Sequence, residues 1–111
     1  MQPVDLVCRL TNIGATPVLE LQGEIDMATV PLLRDQLARA IGLHPGAELL
    51  VDLDGVSVLD DTGLGVLMGA AALAGELEGE LILVCSTERL LDRLSRTGMN
   101  RAVTVRDRAA P

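Results

Sequence analysis

Four aspartates lie within residues 51–69, VDLDGVSVLDDTGLGVLMG. They form the densest group in the sequence of side chains that could take part in catalysis or binding. Asp52 and Asp54 end a short apolar run, whereas Asp60 and Asp61 come just before a second run that begins at Gly63. A carboxylate at a helix start accepts hydrogen bonds from free backbone N–H groups, which stabilises the helix by about 1 kcal/mol. The same N–H groups can hold a phosphate attached near residue 61 or 62. The stretch predicts a helix capped by Asp60 or Asp61, with an anion position at its start.

Residues 49–56, LLVDLDGV, also allow a different chemistry. They resemble the first motif of haloacid-dehalogenase-like phosphatases, in which the first aspartate attacks a phosphate, the second acts as acid and base, and magnesium bridges them. Those enzymes also need a downstream Lys and further acidic metal ligands. This chain has no Lys and few residues after Val56. A magnesium-dependent phosphatase is therefore the less favoured alternative.

The composition argues against several other kinds of site. The 111 residues include no Phe, Tyr or Trp, and all nine basic residues are Arg. Without aromatic rings there is no platform for stacking single-stranded bases, and without Lys there is no Schiff-base amine or P-loop lysine. The net charge of -7 repels polyanions. We expect no nucleic-acid partner.

The lone histidine and the two cysteines offer neither a metal site nor a catalytic group. His44 lies in a loop-like HPG without the partners of a zinc site or a triad, and Cys8 and Cys85 are far apart in apolar runs. Such cysteines are typical of reduced, buried thiols in a cytoplasmic protein. There is no signal-peptide pattern, and the uncharged run over residues 62–75 is too short to span a membrane. We expect a cytoplasmic protein with no catalytic residue, metal, cofactor or direct membrane insertion.

Hydrophobic periodicity predicts one α/β domain over residues 1–111, with a core over about 4–105. Strands are predicted over residues 4–11, 17–23, 49–53, 81–85 and 103–105. Helices are predicted from the N-cap Thr29 to Gly42, from Gly63 to about Gly75, and from the N-cap Thr87 to Gly98. The order ββαβαβαβ implies a mostly parallel sheet with right-handed crossovers.

The second predicted helix is apolar on every side, so its outer face needs a covering. The residues expected to face the sheet are Leu64, Leu67, Met68 and Ala71, and the outer ones are Gly65, Val66, Gly69, Ala70 and Leu73. A loop of the chain, weak self-association or a partner protein could cover the outer face. We favour a partner that approaches closely at Gly65 and Gly69, because a small domain has little spare chain and large apolar patches mark interfaces.

Three arginines, Arg89, Arg93 and Arg96, fall on one stripe of the third predicted helix, opposite its leucines. Exposed charges of this kind contribute little to stability. We expect them to be mostly solvated surface, with a docking role for the arginine stripe as the alternative.

Two segments together carry a family resemblance. Residues 23–37, GEIDMATVPLLRDQL, followed by residues 51–69, resemble the bacterial anti-sigma factor antagonists, which are STAS domains. The resemblance extends over about residues 4–105. It implies a mixed four- to five-stranded sheet with helices packed mainly on one side. It also implies a partner switch: the unphosphorylated antagonist binds an ATP-dependent serine kinase that acts as anti-sigma factor, and phosphorylation by that kinase releases it.

By this resemblance, Asp60 matches the family aspartate and Asp61 stands at the phosphoacceptor position, where the family typically has Ser. Thr62 is the neighbouring rival hydroxyl. A carboxylate imitates a phosphoserine only in part, because it has less charge and one oxygen fewer. Asp61 thus either holds the protein near its released form or suits an adapted partner. The implied partner-binding residues are Asp26, Asp60, Asp61, Thr62, Gly63, Gly65, Val66 and Gly69. The remaining alternative is a STAS scaffold or transport-system subunit without a sigma partner.

Overall fold

The computed structural model describes residues 5–107, which form a five-stranded sheet in the order β1-β2-β3-β4-β5. The strands are β1 (Leu6–Ile13), β2 (Thr16–Ile25), β3 (Glu48–Leu59), β4 (Glu80–Val84) and β5 (Thr104–Arg106). The helices are α1 (Val30–Leu43), α2 (Asp61–Glu76), α3 (Glu88–Arg96) and α4 (Met99–Ala102). β1 and β2 are antiparallel, and the later neighbours are parallel. The predicted mixed α/β sheet and its element order are confirmed, with α4 as an addition.

The connecting helices lie mainly on one face of the sheet. Each crossover from β2 onward adds the next strand on the same side, and right-handed crossovers in one direction place their helices on one face. Leu19, Val51 and Leu83 are fully buried in the core on that face. Residues that alternate with them along the strands, such as Glu20, point to the opposite face. The packing of helices mainly on one side is thus confirmed.

β3 is longer than the sequence predicted, because the polar residues after Leu53 continue to pair with β2. Gly55 pairs with Gln22 and Leu59 with Ile25, whereas β4 pairs only with residues 48–52 of β3. Within the described residues, the second half of β3 therefore pairs with β2 but not with β4. The predicted end of this strand at residue 53 was too early, because backbone pairing with β2 continues to Leu59 despite the broken apolar pattern.

α2 begins at Asp61 rather than at Gly63, and its buried face also differs from the prediction. Met68 is 47% exposed, so its predicted contact with the sheet was wrong. Residues three and seven positions after Leu67, Ala70 and Ala74, lie on the same helix face as Leu67 and are buried. Met68 directly follows Leu67 and is rotated about 100° away from that face. The buried residues of α2 are Gly63, Leu64, Leu67, Ala70 and Ala74.

The chain turns sharply at the end of α3. Gly98 has a φ of 78°, a left-handed conformation that glycine adopts at low cost. α4 then places Met99 in the core with 2% of its surface exposed. The stop at Gly98 agrees with the prediction, but a helix of four residues has too little periodicity to be recognised from the sequence.

Substitution of Gly63 tests how tightly α2 sits on the sheet. A Cβ at this position would overlap Cγ2 of Ile25 and lie 2.9 Å from Cδ1 of Leu59. We expect Gly63→Ala to lower the free energy of unfolding by about 1–3 kcal/mol, measured by urea denaturation, because the core there becomes overpacked.

The matched control is Gly65→Ala, where an added Cβ meets nothing within 4 Å. This variant should be as stable as the wild type, or more stable by about 0.5–1 kcal/mol, because alanine favours helix more than glycine. Equal stability of Gly63→Ala and the wild type would contradict the tight fit.

Candidate partner-binding site

Asp60 organises the first turn of α2. Its backbone N–H donates to the carbonyl of Ile25 at 3.1 Å, which ties the start of α2 to the end of β2. Its Oδ1 accepts from the backbone N–H of Gly63 at 3.0 Å and from the hydroxyl of Thr62 at 2.5 Å. The extended backbone at Asp60 is usual for an N-cap. Of the two aspartates predicted as candidates, Asp60 is the cap.

The hydrogen bonds to Asp60 favour its charged form. The bond from the Thr62 hydroxyl, followed by the bond from the Gly63 N–H, lowers the pKa of Asp60 below its usual 3.8. The positive charge of Arg93 acts in the same direction more weakly. Asp60 therefore caps α2 as a carboxylate at neutral pH, where its charge complements the helix dipole.

Asp61, the first residue of α2, projects into solvent. Its side chain is 91% exposed, and its Oδ1 accepts a hydrogen bond from Nη2 of Arg93 in α3 at 2.9 Å. Thr62 is also exposed, but its hydroxyl donates to Asp60. Neighbouring residues thus have different surroundings: the carboxylate of Asp61 is open to a partner, whereas the hydroxyl of Thr62 is engaged by the cap.

Asp26 follows β2 directly, beside the start of α2. Its Oδ1 accepts from the backbone N–H groups of Ala28 and Thr29 at 3.0 and 3.2 Å. Thr29 occupies the predicted N-cap position of α1, but its side chain makes no cap bond and donates instead to the carbonyl of Glu24 at 2.9 Å. Asp26 therefore shapes the loop before α1. Because β2 and β3 are parallel neighbours, Asp26 and Asp60 lie at the same edge of the sheet.

An apolar groove of about 700 Å³ runs between α1 and α2. Met27 is 76% exposed and belongs to its lining. Beside Met27, the loop before α1 and α1 itself contribute Val30, Pro31, Arg34, Leu37 and Ala38. From α2 come Thr62, Gly65, Val66, Gly69, Ala70 and Leu73.

On the α2 side, the groove is lined at two positions by glycines, which have no side chain. Gly65 and Gly69 are exposed, and a Cβ at either position would meet nothing within 4 Å. A neighbouring chain could therefore approach the backbone of α2 closely along this wall. The outward position predicted for both glycines agrees with the structure.

We call the surface formed by the groove and the acidic residues at its end, of which Asp61 is exposed and Asp26 and Asp60 are half-buried, the docking surface. Among the residues implied as partner-binding, it includes Asp26, Asp60, Asp61, Thr62, Gly65, Val66 and Gly69. Gly63 is the exception, because it is buried against Ile25 and Leu59. The structure corrects its assignment as a contact residue: its role is to let α2 rest on the sheet.

Asp52 and Asp54 in β3 accept hydrogen bonds from nearby backbone and side-chain groups. Oδ1 of Asp52 accepts from the backbone N–H of Asp54 at 3.0 Å. The carboxylate of Asp54 accepts from the backbone N–H of Ser86 at 2.7 Å and from its hydroxyl at 3.1 Å. These bonds attach β3 to the segment after β4. The bonds of Asp54 make this attachment, and the bond of Asp52 lies within β3, so both carboxylates have a structural role.

The arginines of α3 make contacts that the sequence did not predict. Arg89 and Arg96 are exposed, as expected, whereas the side chain of Arg93 is 36% exposed. Nη2 of Arg89 nevertheless donates to the carbonyl of Ser57 at 2.6 Å, and Arg93 pairs with Asp61. Their spacing of four residues places them one turn apart on α3, which was the available signal. Their acceptors come from a segment that only the folded chain brings near.

The chain is similar to proteins of one known family. The STAS domain family profile matches residues 9–110. This chain belongs to the STAS domain family. A relative in Bacillus subtilis (strain 168), named anti-sigma-B factor antagonist, is 33% identical over 87 residues, which are 78% of each chain.

Solved structures agree with the STAS fold. An anti-sigma factor antagonist from Mycobacterium paratuberculosis superposes with a TM-score of 0.81 and 24% identity, covering 95% of this chain and 89% of that one. The murine anion transporter Slc26a9 matches with a TM-score of 0.71 and 17% identity, covering 86% of this chain but only 16% of the transporter. Both likenesses concern the fold, which serves proteins of different kinds.

Within residues 5–107, no group of three or more His, Cys, Asp or Glu side chains is arranged to hold a metal ion. In the same range, no helix has the length and apolar character to cross a membrane.

Acidification tests the role of Asp60 as a charged cap. Because the folded-state pKa of Asp60 lies below its unfolded value of 3.8, its stabilising effect is complete above that value and is lost as the pH falls through the folded pKa. We expect the wild type to lose more stability than Asp60→Asn when urea unfolding is compared at pH 7 and below pH 3.8. Asparagine still caps the helix but does not titrate. Identical pH profiles would contradict this role.

Proposed function

We propose that this STAS domain is an anti-sigma factor antagonist that acts by binding, without a reaction of its own, to an anti-sigma factor of the ATP-dependent serine kinase type. The names of its relatives at 30–33% identity support the first part. The observation that carries the proposal is the docking surface, in which the exposed first turn of α2 adjoins an open apolar groove. The predicted cytoplasmic location stays a prediction.

The docking surface has two chemically different parts, and each suits protein recognition. The groove offers apolar area and access to the backbone of α2 at Gly65 and Gly69. Its acidic end offers the carboxylates of Asp26 and Asp61, which would attract a basic rim on the partner. Apolar contact would supply most of the affinity, and the rim charges would affect the association rate and its salt dependence.

The alternative role as a scaffold or transport-system subunit has one supporting observation, the shared fold with a transporter domain. That likeness says nothing about the docking surface. Gene neighbourhood distinguishes the two roles: a kinase gene next to this gene favours the antagonist, and a transporter gene favours the subunit.

Weak self-association is another way to cover the groove. Gel filtration across a range of concentrations tests it. A dimer that Gly65→Leu abolishes would assign the groove to a second copy of this chain rather than to an anti-sigma factor.

Enlarging the groove wall should block the partner without unfolding the protein. We expect Gly65→Leu and Gly69→Leu each to weaken binding to the cognate anti-sigma kinase at least about tenfold, because the added side chain fills space that the partner needs. Isothermal titration calorimetry would measure this loss, and a shift of 1.4 kcal/mol corresponds to tenfold.

The matched control is Gly75→Leu on the same helix. Gly75 is also exposed, and a Cβ there meets nothing within 4 Å, but it is not part of the groove lining. Gly75→Leu should bind like the wild type. Equal weakening by all three variants, or unfolding of Gly65→Leu, would contradict the docking surface.

Position 61 should not be phosphorylated in this protein. Asp61 has no hydroxyl to attack ATP. Thr62 does have a hydroxyl, but it lies one residue later in the helix, rotated by about 100° from position 61, and it donates a hydrogen bond to Asp60. We therefore expect the binding state to be largely insensitive to the kinase reaction. Incubation with the cognate kinase and ATP should add no phosphate, as measured by intact mass.

Asp61→Ser should gain one phosphate under the same conditions and then release the partner. Asp61→Ala is the matched control without a hydroxyl. A stoichiometric phosphate on Thr62 of the wild type would overturn this prediction and restore an ordinary phosphorylation switch.

A further inference from the structure

Arg93 connects α3 to the exposed start of α2. Its Nη2 lies 2.9 Å from Oδ1 of Asp61, and the two residues are 32 positions apart in the chain. One turn earlier on α3, Arg89 donates to the carbonyl of Ser57 in β3. The two arginines together hold α3 against the segment that leads into α2.

The guanidinium of Arg93 uses only half of the edge that faces position 61. Nε–H and Nη2–H lie on the same edge of a guanidinium and can bind two oxygens of one anion in parallel. Here Nη2 has its acceptor, but Nε is buried and has no hydrogen-bond partner among residues 5–107. A buried donor without an acceptor is unfavourable, so a second oxygen placed at Nε would be a gain.

The short side chain of Asp61 explains why the edge is half used. A single methylene separates its carboxylate from the backbone of the first helical residue, and only Oδ1 reaches Arg93. A phosphoryl group carries three oxygens further from the backbone and more charge, and a glutamate carries its two oxygens one bond further out.

We propose that Arg93 is a receptor for an oxyanion carried by residue 61, and that its Nε–Nη2 edge fits a phosphoryl group better than the carboxylate of Asp61. The carboxylate of Asp61 is thus held by Arg93 through one oxygen, while its side chain stays 91% exposed to a partner. The receptor itself stands on the contacts of Arg93. Its functional meaning, that α3 fixes the position of the negative charge of residue 61 beside the docking surface, rests on the proposed function.

The test uses the full chain alone, so that it does not depend on any anti-sigma factor. Phosphoserine is incorporated at position 61 during synthesis, and hydrogen exchange of the arginine Nε–H groups is followed by nitrogen-15 NMR. Exchange at Arg93 Nε–H should slow about tenfold relative to the wild type, because a charge-assisted bond forms there. The internal reference is Arg96, whose Nε already lies 2.8 Å from Oδ2 of Asp92 on the same helix and should exchange at an unchanged rate. Unchanged exchange at Arg93 would overturn the proposal.

A second measurement needs only ordinary substitutions. Asp61→Glu should raise the melting temperature by about 2–4 °C when Arg93 is present. In an Arg93→Gln background the same change should have no effect, and in Arg93→Lys, which has no paired donors, the effect should be reduced. The same rise in all three backgrounds would overturn the proposal, because it would reflect the helix start rather than Arg93. Failure of the wild type to bind the anti-sigma kinase in the calorimetric assay would instead contradict the proposed function. It would not affect the exchange and melting results on Arg93.

Discussion

The direct contact of Gly63 with the ends of β2 and β3 determines how the first turn of α2 is presented. With no side chain at this position, the helix rests against Ile25 and Leu59, and the backbone N–H of Asp60 reaches the carbonyl of Ile25. The cap of Asp60 then forms over Gly63 and engages the hydroxyl of Thr62. Once this turn is in place, the side chain of Asp61 has only solvent and α3 beside it. The exposure of Asp61 therefore depends on the buried contact of Gly63.

Two consecutive aspartates consequently perform different tasks. The carboxylate of Asp60 is used within the fold, where hydrogen bonds hold it in the charged form. The carboxylate of Asp61 is 91% exposed and meets Arg93 with one oxygen. An exposed ion pair contributes little to overall stability. Its importance lies in geometry, because it fixes where a negative charge stands at the edge of the docking surface.

The groove between α1 and α2 depends on small residues rather than on a special loop. Ala70 packs inward, and Gly65 and Gly69 leave the outer wall without side chains. Met27 adds exposed apolar surface at the lining. Such a surface is unfavourable in water unless another molecule covers it. The STAS fold occurs in antagonists and in a transporter domain, so the role of this chain has to be argued from these residues and not from the fold alone.

Local patterns in the sequence determined the order of elements, the mixed sheet, the cap at the start of α2 and the outward position of Gly65 and Gly69. These features depend on neighbours within one or two turns or on strand alternation, which periodicity records directly. Tertiary structure alone decided that β3 continues to Leu59, that Gly63 is buried, that Met68 faces outward and that Arg93 meets Asp61. Each of these depends on a partner brought close by the fold, such as β2 beside β3 or α3 beside α2, across 32 residues in the case of Arg93 and Asp61. The register and packing of whole elements set such contacts, and no short window of sequence contains them.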